Sequence, residues 1–125
     1  MEKLLHYVWK HRILPLGSLS TTDGRRVEVI DPGMHNHDGG PDFFNAKVLV
    51  EGILWAGNVE IHLRSSDWFR HGHDTDAAYD GVVLHVVQDA DCEVNNSQGR
   101  SIPQVIMHIP DSLAQDYQSL LRTDE

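Results

Sequence analysis

The stretch FFNAKVLVEGILWAGNVEIHLR, residues 43 to 64, constrains the fold more than any other part of the chain. Apolar and polar residues alternate through most of it, and Glu51 and Gly52 form a turn signal near its middle. Side chains of a strand point alternately to opposite faces. Alternation on both sides of a tight turn therefore predicts an antiparallel hairpin with strands over 43–50 and 53–64. In the second strand Val59, Ile61 and Leu63 share one face, while Glu60, His62 and Arg64 share the other. The aliphatic face belongs to a core. The polar face either meets water, as in many antiparallel sheets, or forms the wall of a site.

The flanking segments supply the rest of the fold. EKLLHYVWKH (residues 2–11) places Leu4, Leu5, Val8 and Trp9 at helical spacing, which predicts a short amphipathic helix ending before Pro15. GSLSTTDGRR carries turn signals, RRVEVIDPG alternates as a strand that stops at Pro32, and MHNHDGGPD is a polar, glycine-rich loop. SSDWFRHG opens with good capping residues and predicts a short helix, with Asp67 as a cap. GVVLHVVQD is almost continuously apolar and β-branched, the pattern of a strand buried on both faces. It is expected to join the hairpin's sheet behind a helical crossover. CEVNNSQGRSIPQVIMHIP reads as a last hairpin turning at Asn95 to Gly99, and DSLAQDYQSLLRTDE as a helix with Leu113, Tyr117, Leu120 and Leu121 on one face. The expected class is α+β. Its mixed sheet has four strands or more, in the order α-β-β-β-α-β, followed by a C-terminal hairpin and helix. At 125 residues, a single domain over 1–125 is expected.

The formal net charge of -9 excludes a protein that coats nucleic acid through broad electrostatics, though not a local basic lip. No apolar run approaches a membrane span, and the opening MEKLLHYVWKHR is unlike a secretory signal, so a cytoplasmic protein is expected. Cys92 is the only cysteine, which excludes an intrachain disulfide and a cysteine-based zinc site. Cys92 also has no neighbouring base that would make it a nucleophile. Nine histidines are present, and His35, His37, His62, His71, His73 and His85 all fall between residues 35 and 85. That clustering is the main compositional sign of a site.

Asp42 precedes the first hairpin strand and Glu60 lies on the second, so the two carboxylates are placed to converge. Paired carboxylates form a hard oxygen site for magnesium or manganese, ions that assist phosphoryl transfer. A helix, then PD at 41–42, then EIH at 60–62 on the next strand resembles the PD-(D/E)xK nuclease superfamily. That resemblance implies a restriction-endonuclease-like fold, Asp42 and Glu60 as metal ligands, and Glu2 as the helix acid. It also implies nucleic acid as partner, with metal-dependent hydrolysis of its phosphodiesters. His62 stands where that superfamily has a water-positioning lysine. An imidazole takes a proton or binds a metal but lacks lysine's fixed charge, which leaves a non-catalytic binding module on a degenerate nuclease-like fold as a rival. GPDFFNA, GNVEIH and SSDWFRHGH, followed by DAAYDGVVLHVV, also resemble an uncharacterised bacterial family, found chiefly in Bacteroidetes. Its members are several times longer, which implies that these residues are the N-terminal fragment of a longer protein.

A second cluster, SDWFRHGHDTDAAYD, sets His71 and His73 among several acids. The H-x-H spacing predicts a metal-binding pair that His85 on the following strand would complete, a zinc-type alternative to the carboxylate site. Solvated loop hydrogen bonds account for the same residues. His35 and His37 belong to the loop leading to Asp42 and are candidates to line the site. Trp68 either clamps the short helix or stacks a base.

Overall fold

The computed structural model describes residues 2–13 and 19–123. Helix α1, Glu2–His11, buries Leu4, Leu5, Val8 and Trp9 against a sheet. Trp9 anchors it further by donating its indole N–H to the Pro32 carbonyl at 3.0 Å. Pro15, Gly17 and Ser18 lie outside the described residues. Strands β1 (Leu19–Ser20) and β2 (Arg26–Asp31) pair antiparallel across a turn in which Thr21 N–H donates to the Arg25 carbonyl. Strand β3 (Met34–His35) is a two-residue interruption of the glycine-rich loop.

The expected hairpin forms from β4 (Phe43–Val50) and β5 (Ile53–Arg64), antiparallel, with Glu51 and Gly52 both at positive φ in the turn. Its register contains a bulge. Ala46 faces Gly57, but Phe43 faces Val59, with Asn45 held at φ 59° between them. Without that shift Phe43 would face Glu60 and Asp42 would face Ile61. The extra residue instead sets Asp42 against Glu60, and directly opposed residues share a face.

The chain then crosses over through α2 (Asp67–Arg70) and two 3-10 turns, His73–Thr75 and Ala77–Tyr79. It returns as β6 (Val82–Asp89), parallel to β5 and buried at successive positions, as the apolar run predicts. The C-terminal hairpin is a correction. Asn95 and Ser101 make a single antiparallel bridge around the expected turn, but β7 (Gln104–Ile106) then pairs parallel with β6. Its Val105 also bridges Thr21 beside β1, so the seven-stranded mixed sheet nearly closes into a barrel. That bridge, together with Thr22 N–H donating to the Gln104 carbonyl, joins part of the sheet's two edges. Asp67 is a second correction: Ser66 holds the cap position, and Asp67 accepts from Arg64 N–H and pairs with Arg70. Helix α3, Asp111–Thr123, packs Leu113, Ala114 and Tyr117 on the core. Leu120 and Leu121 lie outside the residues whose side chains are described.

Gly57 lies where β6 begins to pair with β5. A Cβ there would stand 2.7 Å from the Gly81 carbonyl oxygen and 2.5 Å from a Val83 methyl group. The Gly81 carbonyl also accepts from Asn58 N–H, so it has little freedom to retreat. Gly57→Ala is expected to destabilise the fold by about 1–3 kcal/mol, read as a lower urea midpoint at unchanged slope.

Candidate metal centre

Two of the three polar residues on this face of β5 are buried, and only Arg64 at the strand's end meets water. Glu60 is 4% exposed and His62 1%, beneath the crossover that carries His71 and His73. Buried polar groups need partners, and the partners of His62 form a chain. Gln104 Nε2 donates to the Cys92 carbonyl at 2.8 Å, which leaves Gln104 Oε1 to accept from His85 Nδ1, also at 2.8 Å. His85 then carries its proton on Nδ1 and presents a lone pair at Nε2. His62 Nδ1, 2.8 Å away, must be the donor to it. Burial pushes His85 down to about 4. Burial, with the charges of His85, His73 and His71, pushes His62 down to about 2. Both rings are therefore neutral, and His62 Nε2 is an unprotonated lone pair.

That lone pair faces Glu60 Oε2 at 3.3 Å. His73 Nε2 lies 2.8 Å from the same oxygen, yet neither nitrogen of His73 makes a hydrogen bond among the described residues. Its ring is fixed by stacking on Tyr79 at 3.6 Å and by an edge contact with Trp68. One ligand atom from each of His62, His71 and His73 lies within 4.8 Å of the others, and His71 is the exposed member. Two donors on one zinc, each at about 2.1 Å, are at most about 4.2 Å apart. Small side-chain adjustments therefore suffice, and this histidine and glutamate group, buried except at His71, can hold a metal ion.

Asp42 adjoins the group on the β4 side. Its Oδ2 accepts from Ile61 N–H at 2.8 Å, and its own N–H donates to Glu60 Oε1 at 3.1 Å. Burial and the neighbouring Glu60 push Asp42 up to about 7, and burial pushes Glu60 up to about 7. Near neutral pH the metal-free pair thus retains protons that isolated carboxyls would have lost. On the other side of Asp42 stands His6, with Nε2 at 3.5 Å from Asp42 Oδ2 and 3.8 Å from Glu2 Oε1. A cleft of about 450 Å³ opens beside His6, lined also by Lys3, Lys10, His11, His35 and His37.

The fold thus brings Asp42, Glu60, His62, His71 and His73 together. His85 stands behind His62 with both nitrogens hydrogen bonded, and Trp68 is a fully buried clamp. Glu2 lies at the edge of the site and His37 in the cleft wall. Cys92 is half-buried, and burial pushes its thiol up. Two participants escaped the sequence reading. His6 had a signal, its i,i+4 spacing from Glu2 on α1. Gln104 had none, because its role depends on a pairing with β6 that the sequence disguised as a hairpin. No helix among the described residues is long and apolar enough to cross a membrane.

No curated protein and no solved structure matches the chain. A family described as "Protein of unknown function (DUF2851)" matches residues 2–125. The chain belongs to that family, which agrees with the expected resemblance to an uncharacterised one.

Proposed function

We propose that this domain is a metal-dependent hydrolase of phosphodiesters in nucleic acid, with its ion held by His62 Nε2, His73, His71 and Glu60. One observation carries the reading: His62 Nε2 and Glu60 Oε2, two groups with lone pairs, face each other at 3.3 Å in a buried site. Only a proton or a cation between them makes that arrangement favourable. Mixed imidazole and carboxylate donors suit manganese or zinc better than magnesium. Such an ion would supply charge for a phosphate and activate water.

The chain's own residues do the rest. His85 and Gln104 hold His62 in the tautomer that presents Nε2, as outer hydrogen bonds do for metal-ligating histidines generally. Asp42, whose N–H donates to Glu60 Oε1, is placed beside Glu60 to orient and deprotonate an attacking water. The basic lining of the cleft beside His6 suits a phosphate backbone despite the net negative charge. Helix α1, the antiparallel strands β2, β4 and β5, the crossover and parallel β6 follow the order that the nuclease resemblance implies, which supports a restriction-endonuclease-like core. Likeness of fold does not itself carry activity. A structural ion that pins the crossover to β5 is the second reading, favoured by the burial of Glu60 and His73.

The test is hydrolysis of bis(p-nitrophenyl) phosphate with added manganese or zinc. Wild type is expected to release p-nitrophenolate only with metal, and Asp42→Asn to lose about 10²–10⁴-fold in rate. Metal that raises the melting temperature without any hydrolysis would favour the structural ion. No metal effect on either measurement would leave the binding module as the better reading.

A further inference from the structure

Two polar side chains of α1 next to Asp42, Glu2 and His6, have no part in the phosphate cleft's charge or in the first ion's ligands. Glu2 and His6 stand one turn apart on α1, and one ligand atom from each of Glu2, His6 and Asp42 lies within 4.8 Å of the others. His6 Nε2 is buried and makes no hydrogen bond among the described residues. Its Nδ1 is 3.1 Å from His35 Nε2, and His35 is itself stacked on Phe43 at 4.6 Å. This repeats the arrangement at His62. In both cases a second histidine engages Nδ1, and Nε2 is aimed at an acid.

The acids also lack ordinary counterions. No lysine or arginine pairs with Glu2, Asp42 or Glu60 among the described residues, whose ion partners are all histidines. A divalent ion placed among Glu2, His6 and Asp42 would meet two carboxylates and one imidazole, a donor set suited to manganese.

We infer that Glu2, His6 and Asp42 form a second divalent-cation position, adjoining the first across the Asp42–Glu60 pair. The description of the centre as dinuclear rests on the function proposed above; the second position itself does not. Asp42 Oδ2 faces His6, and its other oxygen keeps the role already given to it. Two adjacent ions would clamp a phosphodiester between them, since paired ions stabilise both the attacking and the leaving oxygen.

The experiment is equilibrium dialysis of the 125-residue chain against manganese, followed by metal analysis and electron paramagnetic resonance. Two ions per wild-type chain are expected, with mutual broadening of the six-line signal. His6→Gln and His73→Ala are each expected to retain one ion and an unbroadened signal. Glu2→Gln, which changes a half-exposed side chain, substitutes for His6→Gln should circular dichroism show that variant unfolded. A single wild-type ion that His73→Ala loses and both α1 variants keep overturns the second position and leaves the first standing. A single ion lost in the α1 variants and kept in His73→Ala supports the position inferred here and overturns the site of the proposed function. No bound ion overturns both.

Discussion

Glu60→Gln is expected to melt higher than the wild type in chelator at pH 8, and lower than the wild type in saturating manganese. Burial raises Glu60 from 4.5 to about 7 in the fold. A carboxyl raised on folding contributes stability that is fully present below about pH 4.5 and lost as pH rises through 7. That shift corresponds to at most about 3 kcal/mol, and glutamine does not titrate. The advantage of the variant over wild type in chelator should therefore grow from pH 5 to pH 8. The histidines His62 and His85 titrate in both proteins and largely cancel in the comparison. Glutamine also fits locally: its carbonyl can take the Asp42 N–H that Glu60 Oε1 now accepts, and its amide can donate to His62 Nε2. The same amide forbids an ion there. An ion at a thousandfold excess over its Kd stabilises the native state by about 4 kcal/mol, roughly 10–20 °C in a domain of this size. Thermal melts of both proteins, with chelator and with manganese, check the crossing. Parallel shifts of wild type and variant on adding metal would place the ion elsewhere.

Trp68→Ala is expected to cost about 3–5 kcal/mol and to weaken metal binding about 10–100-fold. Trp68 is fully buried with Val82, Val94 and Ile102, in a cluster separate from the main core. Its indole N–H donates to the Asn95 carbonyl at 2.9 Å. Its ring also meets His73 and His85 edge-on, with centroids 5.3 and 5.1 Å apart. Removing it opens a cavity behind the two histidines that orient the site. Trp68→Phe keeps a ring but strands the Asn95 carbonyl, so a smaller loss of about 1–3 kcal/mol is expected. Urea unfolding in chelator isolates the packing cost, and manganese titration of the still-folded fraction reads the effect on the site. An alanine variant that binds manganese as tightly as wild type would show that the histidines hold their places without the indole.

Much of this architecture was legible because its signals are local. Period-two alternation gave the β4–β5 hairpin and told Val59 and Ile61 from Glu60 and His62. Helical spacing gave α1, and the β-branched apolar run of β6 announced a strand covered on both faces. The short H-x-H segment was visible for the same reason, as both histidines lie within one turn of chain. The C-terminal hairpin misled because turn residues at Asn95 to Gly99 do make a turn. A turn signal does not say which strand the returning chain will pair with, and β7 gains more hydrogen bonds beside β6 than along residues 92–94.

By itself the sequence determined which face of β5 is polar, which residues could meet on neighbouring strands, and that histidines would gather near them. Only the tertiary structure decided that Asp42 shares the face of Glu60, because one bulged residue at Asn45 shifts the register and a one-residue shift reverses the face of every side chain beyond it. It also decided which nitrogen of His62 is free. That choice passes from the Cys92 carbonyl through Gln104 and His85, and each link joins segments far apart in the chain. Alternation is a property of neighbours and can be read along a line, whereas register and tautomer depend on hydrogen-bond partners that exist only after the chain has folded.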